Sequence, residues 1–202
     1  MRPAYHTIVV SLVTGLFFFT MLAVLLRLVL RWQGKDDSPL AVAADRAALA
    51  AAGLGVALNA VGIVTGFLIW PLEATLRSSL MRNRFLTAFL VLAFWGSYFA
   101  VRFKRGPEMW HSMAMSVYAF MLAASGFAFG MITNSIGGDA AGNPSGFEGI
   151  VRIFGVETRA TFYLPTWLNL TIIVLGVVAL VIAVTGRTSD EPRSEAEVAA
   201  ET

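Results

Sequence analysis

The chain has two histidines, and three of its eight methionines surround one of them in MWHSMAMS, residues 109–116. Imidazole and thioether are soft metal and haem ligands. His111 and Met115 are four residues apart, which on a regular helix puts them on one face, with Tyr118 about a turn further on. That pair suits copper(I), or one axial position of a haem b. Copper calls for a third soft ligand, however, and Met109 and Met113 project elsewhere on such a helix. A bis-histidine haem needs imidazoles on both faces of one ring, whereas His6 opens the first apolar run and His111 the fourth, on opposite sides of a membrane. The candidates for cofactor binding are therefore His111, Met115 and His6. Haem b, quinone or copper are the groups they would hold, and the residue pattern favours plain interfacial histidines with no cofactor.

Other chemistry finds less support. Cysteine is absent, which removes thiolate nucleophiles, disulfides and cysteine-ligated metals. No H-E-x-x-H, G-x-S-x-G or phosphate-cradling loop with a lysine occurs, and no catalytic residue is expected. Asp and Glu are read as confined to loops and the tail, so no intramembrane carboxylate is expected, which disfavours a proton-coupled transporter. NSIGGDAAGNPSG reads as turn chemistry. Glu148, Glu157, Arg152 and Arg159 read as a solvated set of charges.

The elements that must position these residues are membrane helices. Hydrophobic residues make up 57% of the chain and charged ones 14%, and mean hydropathy is +0.71, far more apolar than a soluble domain. Crossing a bilayer core of about 30 Å takes roughly 20 apolar residues as a helix. Five runs meet that need, at about residues 7–30, 47–70, 85–103, 109–132 and 167–186. The fold expected is all-α: a four-helix membrane core over residues 1–138, then a Gly/Pro-rich external loop over 139–166 with an amphipathic segment at 147–162. A fifth transmembrane helix at 167–186 and a disordered cytoplasmic tail at 187–202 complete it. The net charge of +2 and the lack of a basic run with interleaved aromatics argue against nucleic acid.

Small residues form stripes on two of these helices. Gly55, Asn59, Gly62 and Gly66 share one face of the second, including a G-x-x-x-G pair. Ala119, Ala123, Gly126 and Gly130 continue a stripe from Ser112 and Ser116 on the fourth. Both predict close helix crossings, with a flat haem or quinone ring lying on the glycines as the rival reading. Asn59 must hydrogen-bond to a neighbouring helix. Arg27 is within snorkelling reach of the headgroups, and Trp32, Trp70, Trp110 and Trp167 mark helix ends as an aromatic belt. Only Trp95 lies inside a run. Lys and Arg are slightly more numerous on the side that makes the N-terminus external and the C-terminus cytoplasmic.

AYHTIVVSL opening helix one, GIVTGFL closing helix two, RNRFLTAFL opening helix three and GFAFGMITNSIGG closing helix four together resemble a family of small bacterial membrane proteins of unknown function. That family has a four-helix core opening with a His-Pro, Val-His-Phe-Pro style motif. The resemblance spans about residues 3–138. His6 matches the first histidine, Gly66 the glycine ending helix two, and Gly137 with Gly138 the terminal pair. Thr7 replaces the usual proline, the second histidine falls near Ser11, and the helix-three histidine falls on Asn83 or Arg84. The resemblance implies a membrane fold in the bacterial inner membrane and no assigned activity. The function expected is an accessory or anchoring subunit of a membrane complex, for instance a respiratory or electron-transfer one, contacting lipid and other subunits through residues 140–162 or helices three and five. The alternatives are a haem b- or quinone-binding electron carrier and, less favoured, a small transporter.

Overall fold

A computed structural model describes residues 3–142 and 166–185, with residues 149, 150 and 153. Among the described residues there is helix and no strand. The helices are α1 (Pro3–Trp32), α2 (Pro39–Ile69), α3 (Leu72–Arg77), α4 (Ser79–Arg105), α5 (Met113–Ala140) and α6 (Thr166–Thr185), with a 3₁₀ turn at Gly106–Trp110 between α4 and α5. Four helical stretches, at Ala4–Trp32, Pro39–Ile69, Ser79–Trp110 and Met113–Ala140, are long and apolar enough to cross a membrane. These helices pack as a bundle compatible with a multi-pass membrane protein.

Contacts between successive helices run in opposite directions along the chain. On α2, Gly55, Gly62 and Gly66 face Phe17, Val9 and His6 of α1 in turn. On α5, Gly126, Gly130 and Gly137 face Trp95, Val91 and Arg84 of α4. Asn134 of α5 donates to Thr14 of α1 at 2.7 Å, and Asn59 of α2 donates to the Ala88 carbonyl of α4 at 3.2 Å. The four long helices therefore form an up-and-down ring in which α1 adjoins α2 and α5, and α4 adjoins the same two. Across the diagonal, Phe17 and Trp95 stack with centroids 4.8 Å apart and planes 5° from parallel. Helix α6 packs on the outside of α4, with Gly176 against Ala93.

The stripe glycines seat aromatic rings as well as neighbouring helices. A Cβ on Gly55 would stand 2.6 Å from the Phe17 ring, and one on Gly126 2.8 Å from Trp95. The centre of the bundle is thus a four-layer stack of Gly55, Phe17, Trp95 and Gly126, one layer from each long helix. Ala119 and Ala123 are wholly buried in the same core. In lipid, where no hydrophobic effect pulls helices together, such close van der Waals packing holds the bundle.

Several helix ends differ from the hydropathy reading because capping set them. α2 begins at Pro39, whose position in the first turn suits a missing N–H, and Ser38 caps it by accepting from Ala41 at 3.2 Å. Asp45 is therefore helical and buried, which corrects the expectation that no carboxylate lies within a helix long enough to span. α4 starts at Ser79, capped by Ser78, so Arg82 and Arg84 belong to its first turns. α5 starts only at Met113, with Ser112 as cap, and runs to Ala140. NSIGGDA is consequently helix rather than turn; the arginine seated on Gly137 explains a glycine there. The amphipathic segment at 147–162 lies almost wholly outside the described residues, and the tail at 187–202 lies wholly outside them.

Candidate functional site

The two ends of the bundle carry different chemistry. At the end formed by the C-terminus of α1 and the N-termini of α2 and α5, charge is neutralised in place. Asp45 of α2 accepts from Nε of Arg102 on α4 at 2.7 Å, and Arg102 Nη2 bonds its second oxygen. The Trp110 indole donates to Asp45 at 2.7 Å. This is a bidentate fork of the kind arginine makes best. Arg31 donates to the carbonyls of Trp110 and His111, the latter at 2.9 Å. Arg27 pairs with Asp36 at 3.2 Å and lies 5.5 Å from the Trp110 ring centroid.

Two expectations are corrected here. Arg27 does not snorkel to the headgroups: it is 4% exposed, because Asp36 and Trp110 give its charge a partner inside the protein. Trp110 is no belt residue but fully buried, because its N–H is needed by Asp45. The same geometry separates the suspected ligands. His111 closes the 3₁₀ turn, outside α5 and exposed, so it and Met115 do not share a regular helical face. Since His111 is tied to Arg31, near the end of α1 remote from His6, the two histidines stand on the order of 35 Å apart. No iron could bridge them. No group of three His, Asp or Glu side chains within reach of one metal ion occurs among the described residues.

At the other end the polar groups surround a cleft of about 80 Å³, room for several waters or part of a ligand. It reaches from His6, Trp70 and Arg84 at the helix ends inward to Phe17, about 16 Å along α1. Phe17 of the central ring stack closes its inner end. Val13, Val91 and Phe127 supply apolar wall, and Asn59, Thr133 and Asn134 add polar points.

His6 sits in a directed chain of hydrogen bonds at the mouth. Arg84 Nη2 lies 3.3 Å from His6 Nε2, and His6 Nδ1 lies 3.0 Å from Thr65 Oγ1. A guanidinium can only donate, so Nε2 accepts and the ring is the neutral tautomer with its proton on Nδ1. That N–H then donates to Thr65, whose hydroxyl donates to the Gly62 carbonyl at 3.1 Å. Both ring nitrogens are thereby engaged. A metal or haem iron at Nε2 would have to expel the guanidinium and sit beside its charge. His6 instead positions Arg84, and the glycine at 137 lets the guanidinium lie flat, since a Cβ there would meet Nη2 at 3.0 Å.

Sequence reasoning singled out His6 and the glycines but missed Arg84, which it placed in a basic flank. A signal was present: Arg84 lies one heptad before Val91 and a little over three turns before Trp95, on a helix whose apolar pattern extends back to Leu80. The structure brings His6, Gly66, Arg84 and Gly137 to one end of the bundle. It leaves His111 and Met115 at the other. Comparison with family models, with curated proteins and with solved structures finds no match for the chain.

Proposed function

We propose that this is a multi-pass membrane protein that binds a membrane-resident amphiphile in the cleft between α1, α2, α4 and α5. The supporting observation is the polarity gradient of that cleft. An apolar inner end and walls run up to the polar His6–Arg84 pair at the helix ends, the arrangement expected for a ligand with a greasy body and a polar head. The head lies at the mouth by Arg84 and Asn134, and the chain descends along Val10 and Val13 toward Phe17. A quinone is one molecule of this shape, and the electron-carrier reading then requires the ring carbonyls to accept from Arg84. Haem b and copper draw no comparable support, because His6 is already committed to Arg84 and Thr65.

The accessory-subunit reading rests on a different observation, the broad apolar exposure of α6, where Leu170, Val174, Leu175 and Val181 all face outward. Lipid covers such a face as well as a partner does, so it ranks second. The assignment of α6 as a fifth span, of the N-terminus as external and of the bacterial inner membrane as the location belongs to the same proposal. Because the chain has no cysteine, single cysteines at Gln33 and Arg77 will report sidedness with a membrane-impermeant maleimide.

The reading is tested by a plug. Gly130 lines the cleft, and a Cβ there meets nothing closer than 3.8 Å, so Gly130→Leu fills space without an immediate clash. In nanodiscs, photolabelling of the cleft by a diazirine-bearing fatty alcohol should fall several-fold in this variant. Unchanged labelling of the same peptides refutes occupancy of the cleft.

A further inference from the structure

Resting on the amphiphile reading, we infer that the ligand is a single-chain amphiphile with an anionic oxyacid head, carboxylate or phosphate, held by Arg84. Four other arginines are matched to carboxylates, whereas Arg46 and Arg105 are exposed to solvent. Arg27 and Arg31 share Asp36, Arg77 has Glu73, and buried Arg102 has Asp45. Arg84 has no carboxylate within ion-pair distance among the described residues; its bond is to neutral His6. A guanidinium carries five N–H donors, so most of its fork remains for another acceptor. It is also only partly exposed, and a partly buried cation at a bilayer boundary is costly without a counter-charge.

The surroundings select the same charge. Among the described residues no Asp or Glu lines the cleft; Thr14 and Thr133 spend their hydroxyl hydrogens on the Val10 and Phe129 carbonyls, which leaves the Arg84 guanidinium as the charged donor at the mouth. His6 holds the fork on one side and Gly137 supports its flat face, so the guanidinium is pre-oriented for bidentate capture of a planar carboxylate or a phosphate. Below it the cleft, about 80 Å³ in volume, reaches inward to Phe17, a space that suits one chain better than two. The occupant is thus bound by head charge and by one chain together.

The experiment uses the full-length protein in phosphatidylcholine nanodiscs, photolabelled by the diazirine-bearing fatty alcohol, which reports cleft occupancy whatever the preferred head. Dodecanoate and dodecyl phosphate should displace the probe about tenfold better than dodecanol or a short-tailed quinone, the factor expected for one charge-assisted pair. Inorganic phosphate alone should not displace it. In Arg84→Gln the acids and the alcohol should compete equally while labelling persists, and Arg84→Lys should restore part of the preference. The wild-type competition series stands even if the glutamine variant fails to fold. Absence of labelling in the cleft defeats the amphiphile reading itself. Labelling with equal competition by neutral and anionic compounds defeats only the charge assignment, and displacement by inorganic phosphate defeats the requirement for a chain.

Discussion

The two ends of this bundle hold similar residue types and use them differently. At the Arg102 end, arginine meets aspartate, the indole N–H of Trp110 completes the carboxylate's set, and the charges stabilise one another in place. At the His6 end, arginine meets a neutral imidazole and an open cleft. A buried cation with its own carboxylate is a structural fastener; a cation of the same type without one, facing a cavity, is available for a ligand. The difference between the ends, rather than the presence of arginine in either, is what points to a site.

The largest effect should come from breaking the fastener. Asp45→Asn leaves Arg102 without its counter-charge in a site that excludes water, at a cost of about 3–5 kcal/mol. The midpoint of unfolding in a denaturing detergent titration will read it. A double replacement of Asp45 and Arg102 by leucine should recover much of that loss, since the penalty is for the orphaned charge. The central ring stack comes next. Gly126→Ala should cost about 1–3 kcal/mol, because Trp95 is held against Phe17 and cannot withdraw from the new methyl group. Gly62→Ala, whose Cβ would meet Val9 at an ordinary 3.7 Å, should be neutral or stabilising by up to about 1 kcal/mol.

Smaller still is Arg84→Gln, which removes one hydrogen bond to His6 and should change stability by about 1 kcal/mol or less while changing ligand preference. A loss as large as that of Asp45→Asn would make Arg84 a second fastener and erase the contrast between the ends. Smallest is Glu73→Gln, in an exposed pair of α3, expected within about 0.5 kcal/mol of the parent by the same titration.

The four long apolar helices are legible because hydropathy over about twenty residues is a strong signal. Their ends are not. Asp45 and Arg46 read as loop because charge ordinarily stops a membrane helix, whereas Ser38 and Pro39 already start one. Arg102 and Asp45, fifty-seven residues apart, announce nothing to each other along the chain, and a charge pair of that separation becomes visible only when α2 and α4 are antiparallel. Gly55 and Gly126 were recognised as sites of close approach, but the identity of what approaches, Phe17 and Trp95, depended on the diagonal of the bundle. His111 with Met115 showed the opposite failure: a spacing of four means one face only inside a helix, and Ser112 starts that helix after the histidine. Arg84 was hidden for the reason it matters, since a basic residue near a helix end reads as a headgroup contact until a cavity is seen beneath it.

On the proposed reading, the His6 end holds a ligand within the bundle. Peptide mapping of the neutral photoprobe on the wild-type protein tests it most directly. The account predicts adducts on the cleft-facing Val10, Val13 and Thr14 of α1 and on residues 130–134 of α5, lost together in Gly130→Leu. Adducts confined to the outward Ile8, Leu12 and Phe19, each at least half exposed and opposite Val10 and Val13 on α1, and unchanged by the plug, would show ordinary contact with lipid and contradict it.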